Sequence, residues 1–357
     1  MSENGNSSQE FALKPKEGEP WDVAIIGSGP AGFTASIYTT RGAASTIIFT
    51  GEVWGGQLML TTTVDNYPAL PGIQGPDLMQ KMREHATMFG GELVEKNVTG
   101  VDFSKSPFEL SVGEEKYSAK SVIIATGAET KWLEVSGEDK LRGRGVSSCA
   151  PCDAPFFKEK KVVVVGGGDS AMEEALVLTK YATSVTIIHR RGEFKASAAM
   201  QAKVFDKEKE GKIDILWDTE VVEMIGEEKL ERIKLKTNSS SEQAKKLPSY
   251  AKDAGGEEED YLYWKMPTEG LFVAVGHVPA TEMFKEKIEL DKKSYVKKQP
   301  PKNGFKMATS VPGVFVAGDV HDWHYRQAIT AAGFGCQAGM DALKFLDKTG
   351  PFGDLLS

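Results

Sequence analysis

With three cysteines in 357 residues, the chain has too few to be held by a disulfide framework. It also lacks any apolar run near the ~20 residues that a membrane helix needs, so no membrane partner is expected. The first twenty residues, MSENGNSSQEFALKPKEGEP, are polar and match neither a secretory signal nor a membrane anchor; residues 1–20 read as a disordered tail. Basic charge is not in excess: 43 Lys and Arg stand against 51 Asp and Glu, a net of −8, which favours solubility and argues against nucleic acid as partner. Two of the cysteines are spaced Cys-x-x-Cys, which suits a transient dithiol or half of a metal site, but no second such pair exists to complete a four-thiolate centre. No metal is expected, and a reducing, cytoplasmic setting is.

What the chain does have is one supersecondary pattern written twice. From Trp21, WDVAIIGSGPAGFTASIYTTRG is an apolar strand, a glycine turn and a helix of small residues, and STIIFTG is the returning strand. From Lys161, KVVVVGGGDSAMEEALVLTKYATSVTIIHRR repeats the order strand, glycine turn, helix, strand. The expected class is α/β with two Rossmann-like dinucleotide-binding domains. The first runs over residues 21–130, is interrupted by the second over residues 131–276, and resumes over 277–357. Within the second, residues 237–261 are polar, Gly- and Ser-containing and without periodicity, and read as a solvated surface insertion.

In GSGPAG the glycines Gly27, Gly29 and Gly32 meet the G-x-G-x-x-G spacing between a strand and a helix. The first allows a tight turn, the second lets backbone N–H groups approach a pyrophosphate, and the third lets helix and strand pack closely. The carboxylate expected at the next strand end is missing, since Thr50 and Gly51 stand there with Glu52 just beyond. The second turn, Gly166, Gly167, Gly168, Asp169, Ser170 and Ala171, fits the same fingerprint with alanine last. At its next strand end stand His189, Arg190 and Arg191, with Lys195 a turn further. Guanidinium groups there would bind a 2′-phosphate that a carboxylate would repel, so NADPH is preferred over NADH.

Cys149 and Cys152 precede this second turn, and Asp153 follows directly. A dithiol cycle needs an attacking thiolate, a partner that closes the ring, and a proton carrier for the leaving thiol, a part Asp153 can play. Pro151 between the cysteines removes one backbone N–H and fixes φ. Cys336, far away in a small-residue helix, reads as a small buried hydrophobe.

Taken in order, GSGPAG, GGQL, DNYP, ATG, CxxCD, GGGDSA, HRR, GHxPxT and GD followed by YRQA make the chain resemble the low-molecular-weight thioredoxin reductases of bacterial, fungal and plant type, from Trp21 to about Leu346. The resemblance implies the pyridine nucleotide-disulfide oxidoreductase type of fold, a homodimer, FAD in the first site, NADPH in the second, and thioredoxin as partner. It implies FAD contacts from Ser28, Pro30 and Ala31 of the turn, Gln57 and Asn66 of the long loop, Val98 on the adenine side, Gly127 of ATG, and Asp319 at the ribityl chain. Arg326, Gln327 and Ala328 would lie on the flavin ring. Cys152 would face the flavin, Cys149 would attack thioredoxin with Asp153 as acid, and the second domain would rotate on linkers near residues 129–133 and 276–280. Pro151, Ala154 and Lys195 depart from the family's usual residues. A flavoprotein of the same fold serving another disulfide partner, and a nucleotide-binding redox sensor without turnover, are the alternative readings.

Overall fold

The computed structural model describes residues 14–61, 63–247, 260–300 and 304–349. The expected tail lies outside them up to residue 13, as do residues 248–259 of the insertion. The chain folds as two compact units, Met1–Glu129 with Val278–Ser357, and Thr130–His277.

In the first unit β1 (Trp21–Ile26) leads through the glycine turn into α1 (Pro30–Arg41), and β2 (Thr46–Phe49) returns beside β1. Pro30 opens the helix, where its missing N–H costs no helical bond. Val23 and Ile25 join one core cluster while Ala24 and Ile26 join another, so β1 is covered on both faces. That is why it reads as a continuous apolar run. The long connection that follows holds a 3₁₀ turn (Gly56–Leu60), the ribbon of β3 (Thr63–Val64) with β4 (Ile73–Gln74), and α2 (Gly75–Thr87). Then come β5 (Glu92–Val94), β6 (Gly100–Asp102), β7 (Phe108–Val112) and β8 (Glu115–Ile124). The sheet order is β5-β2-β1-β8-β7-β6, parallel in its first four strands and antiparallel at β7 and β6.

The chain leaves along β9 (Ala128–Thr130). The second unit begins with α3 (Glu138–Leu141), β10 (Val146–Ser147) and α4 (Ala150–Asp153), then β11 (Lys161–Val165), α5 (Asp169–Leu178), β12 (Ser184–Ile188), α6 (Ala198–Lys209) and β13 (Ile213–Leu216). Next come β14 (Thr219–Ile225), β15 (Arg232–Asn238), α7 (Glu242–Lys246), β16 (Tyr261–Pro267) and β17 (Gly270–Val273). Strands β10-β17-β11-β12-β13 form a parallel sheet and β14-β15-β16 an antiparallel one. In β11, Val162 and Val164 face one core and Val163 and Val165 the other, repeating the double burial of β1.

The insertion between β15 and β16 differs from the expected solvated loop. Ser241 caps α7 by accepting the Ala244 N–H at 3.2 Å, and Gln243, Ala244 and Leu247 are buried. Two apolar residues three apart suffice to seat one helical turn, a signal that the polar average of the segment hides.

The chain returns on β18 (His277–Pro279), which pairs with β9. In the first unit β19 (Val314–Val316) adds parallel to β8 and is followed by α8 (Ala328–Thr349). A Cβ on Gly335 of α8 would stand 2.1 Å from the Ala31 carbonyl oxygen, so α8 meets α1 through backbone. Cys336 is half-buried, not buried as the sequence suggested, and its Sγ lies 4.0 Å from the sulfur of exposed Met340. The single chain leaves this face of α8 open. No helix among the described residues is long and apolar enough to cross a membrane.

Candidate active site

Gly27 leaves β1 at φ 116°, where a Cβ would stand 2.2 Å from the Ala125 carbonyl oxygen; one on Gly32 would stand 2.0 Å from that of Gly27. Only glycine fits either position. A Cβ on Gly29 meets nothing within 4 Å, so open space lies before the α1 N-terminus, where helix N–H groups and partial positive charge favour an anion. Ser28 is buried, and its hydroxyl donates to the Thr50 carbonyl at 2.8 Å and accepts the Gly55 N–H at 3.0 Å. Its side chain ties the turn to the β2 end and the long loop, which leaves backbone for a ligand. Glu52 is exposed, and its N–H donates to Asn97 Oδ1 at 3.4 Å, beside buried Val98. Gly127, at φ 74° with open space at its Cβ position, follows β8.

Gln57 and Asn66 are exposed on the long loop. Asn66 Nδ2 donates to Gln327 Oε1 at 3.1 Å, and Gln327 Nε2 donates to the carbonyls of Tyr325 and Arg326 at 3.1 and 3.2 Å. This segment is built on buried Asp322, whose carboxylate accepts the N–H groups of His324, Tyr325 and Arg326 at 3.1, 3.0 and 3.3 Å. The resulting turn holds Arg326 at φ 49°, just before Ala328 opens α8. Asp319 sits in a 3₁₀ turn after β19, with its Oδ1 buried and without a hydrogen-bond partner among the described residues. Burial, helped by Asp322 and opposed by Arg326, pushes its carboxyl up to about 7. A buried oxygen left without a protein partner is free to meet a ligand or a water.

In the second unit Cys149 and Cys152 are bonded, with sulfurs 2.11 Å and Cα atoms 5.3 Å apart. Cys149 stands at the N-cap of α4, and its carbonyl accepts the N–H groups of Cys152 and Asp153 at 3.2 and 3.1 Å. Pro151 falls in the first turn of the helix, where it breaks no helical bond. Both cysteines are half-buried, and Ala154 beyond them is buried. Burial raises the Asp153 pKa above the ordinary carboxylate value, and a hydrogen bond from Ser147 opposes it. Ser147 Oγ donates to Asp153 Oδ2 at 2.6 Å and accepts the Cys149 N–H at 3.1 Å. Next to it, Thr130 donates to Ser148 Oγ at 3.2 Å and lies 3.5 Å from His277 Nε2.

At the second glycine turn a Cβ on Gly166 would stand 2.4 Å from the Ala274 carbonyl oxygen and 2.8 Å from Ala171 Cβ, while one on Gly168 meets nothing within 4 Å. A Cβ on Gly167 would stand 2.3 Å from the ring of His189, which is buried under the turn beside Phe194 and Trp217. Burial lowers the His189 pKa, and the charges of Arg191 and Arg190 push the same way against a backbone bond to Glu193. Arg190, Arg191 and Lys195 are exposed. The N–H groups of Lys195 and Ala196 both donate to the Gly167 carbonyl, at 2.7 and 3.1 Å, and fold this basic segment back onto the turn. Asp169 opens α5 and accepts from Ser197 N–H and Oγ at 2.9 and 2.7 Å, while Ser170 is half-buried.

Sequence reasoning missed Ser147 and Asp322. A serine two residues before a helix-capping cysteine, and an aspartate before three residues that need N–H acceptors, are the local signals that could have shown them.

Residues 21–335 match the family model described as pyridine nucleotide-disulphide oxidoreductase. A thioredoxin reductase of Streptomyces coelicolor is 45% identical over 91% of this chain and 94% of its own length. One of Coxiella burnetii is 42% identical over 91% of this chain and 96% of its own. Among solved structures, a thioredoxin reductase from Giardia duodenalis superposes with TM-score 0.80 at 38% identity, covering 92% of this chain and 99% of that one. With similarity this extensive around a bonded cysteine pair and two dinucleotide turns, the chain belongs to the pyridine nucleotide-disulphide oxidoreductases, in the thioredoxin reductase branch that works with FAD and NADPH.

Proposed function

We propose that the chain is a thioredoxin-disulfide reductase, which draws electrons from NADPH and passes them through Cys149 and Cys152 to the disulfide of oxidised thioredoxin. The observation that carries this reading is the bonded pair with a half-buried carboxyl one residue on, in the unit that also holds the second dinucleotide turn.

In this reading the first unit holds FAD. The backbone of residues 27–32 meets the pyrophosphate, the orphaned Oδ1 of Asp319 takes a ribityl hydroxyl, and Gln57, Asn66, Val98 and Gly127 add contacts. Arg326, Gln327 and Ala328 border the ring. Bound FAD supplies the two-electron relay between nicotinamide and disulfide. In the second unit residues 166–171 meet the NADPH pyrophosphate, and Arg190, Arg191 and Lys195 take the 2′-phosphate. His189, its charged form disfavoured by burial, packs beneath the turn and leaves that charge to the arginines.

The chain's own chemistry is thiol–disulfide exchange. The Cys149 thiolate bonds to one sulfur of the substrate disulfide, and the other sulfur leaves with the bonding pair and takes a proton from Asp153. Cys152 then attacks the Cys149 sulfur and closes the enzyme disulfide, while its proton passes through Asp153 to the second departing sulfur. A dithiol and a disulfide have exchanged places.

The functional unit is a homodimer in a reducing cytoplasm. Exposed Tyr38 on α1 and exposed Ile329 and Met340 on α8 support a second copy on this face. NADPH oxidation measured with a panel of thioredoxins tests the proposal, with rapid turnover expected. Turnover with a different disulfide protein and none with any thioredoxin would overturn the substrate assignment. No turnover even with a small disulfide reagent would favour a sensor.

A further inference from the structure

We infer that Ser147 is a positioning residue for the exchange step, its single hydroxyl linking the Asp153 carboxyl to the Cys149 backbone so that acid and nucleophile keep one register. The inference rests on the reading of Asp153 as the proton carrier. Ser147 lies on β10, the two-residue edge strand of the parallel sheet, paired with Phe272, and is buried, so the sheet holds its backbone and its surroundings hold its hydroxyl. The helix that bears Cys152 and Asp153 is only 4 residues long and gains rigidity from such a tie. The Cys149 N–H can only donate, so it takes an Oγ lone pair at 3.1 Å and the hydroxyl hydrogen points to Asp153 Oδ2 at 2.6 Å. A proton on Asp153 then resides on Oδ1. That is the proton which moves to the first departing sulfur when the Cys149 thiolate opens the substrate S–S bond, and the Cys152 proton then follows the same path through Asp153 to the second departing sulfur as the enzyme disulfide closes.

A hydrogen bond donated to a carboxylate favours its charged form, so Ser147 opposes the burial that raises the Asp153 pKa. The helix packed against α4, α5, carries Asp169, Glu173 and Glu174, the following 3₁₀ turn (Ala154–Phe157) carries no titratable side chain, and His277 lies beyond Thr130 and Ser148. In the disulfide form, burial raises the Asp153 pKa and the Ser147 hydrogen bond opposes it.

The test mixes FAD-loaded, NADPH-reduced enzyme with oxidised thioredoxin across pH and follows oxidation of the enzyme dithiol. In the native enzyme the rate falls as pH rises through the Asp153 pKa. Ser147→Ala should displace that fall upward by on the order of one pH unit and slow the reaction severalfold below it, while Ser147→Thr restores both. Ser147→Cys, near-isosteric with a weaker donor, should show a smaller upward displacement and serves if the alanine variant does not fold. NADPH-driven bleaching of the flavin should be unchanged in all. A fall that stays in place in Ser147→Ala and Ser147→Cys, while Asp153→Asn abolishes it, overturns the role of Ser147 alone. A fall that persists in Asp153→Asn overturns Asp153 as the carrier and this inference with it.

Discussion

The crowding at Gly27 and the open space at Gly29 separate two jobs of one turn. Gly27→Ala forces a side chain to positive φ and into the Ala125 carbonyl, 2.2 Å away, which should cost about 3 kcal/mol or more of stability. Gly29→Ala meets no protein atom and should cost within about 1 kcal/mol, yet fill the space before the helix and release FAD. Denaturant unfolding together with flavin retention distinguishes the two; similar unfolding midpoints would refute the distinction. Asp319 gives a pH signature. Its carboxyl is raised from 3.8 to about 7, so across that window the folded chain holds a proton that the unfolded chain has released. FAD-stripped protein should therefore lose stability as pH rises through that window, and Asp319→Asn, which cannot ionise, should not. Between about pH 5 and about pH 8 the advantage of the variant should grow by on the order of 2 kcal/mol. A constant gap would mean that the carboxyl titrates normally. The glycines were legible in sequence because each constraint is local. The double tie of Ser28 and the orphaned oxygen of Asp319 were not, since both depend on contacts brought together by the fold.

At the scale of elements, the proposed function puts the nucleotide preference of the second unit at the end of β12. Arg190→Ala with Arg191→Ala removes charge-assisted bonds worth ~1.5–3 kcal/mol each, and should raise KM for NADPH about tenfold or more with little change for NADH. Equal losses with both would make the pair structural. The strand-end position of these arginines was readable from the order strand, turn, helix, strand. The two N–H groups that fold the basic segment onto the Gly167 carbonyl, and the His189 ring beneath it, were not, because nothing in local sequence says which backbone oxygen a loop will find. The short α7 was hidden for a related reason: its burial rests on the partners it meets, Trp217 among them, whose backbone N–H donates to Gln243 Oε1 at 3.4 Å.

For the whole molecule, the second unit is one continuous stretch, Thr130–His277, with its own two-faced core. It should fold when expressed alone and be stabilised against heat by NADPH more than by NADH, without FAD; an excised segment that stays unfolded would show that its core depends on the rest of the chain. The doubled βαβ pattern was visible in sequence because each copy carries its own strand period and glycine spacing. The open face of α8 around Cys336 and Met340 was not, since a small-residue helix looks the same whether its own chain or a second one covers it. In the proposed mechanism Cys149 is the outward nucleophile and Cys152 the residue that resolves. The direct measurement is to reduce Cys152→Ser and Cys149→Ser enzymes, mix each with oxidised thioredoxin, and map any mixed disulfide by mass spectrometry. Cys152→Ser should accumulate an adduct through Cys149 and Cys149→Ser none, whereas an adduct through Cys152, or no adduct in either variant, would contradict the account.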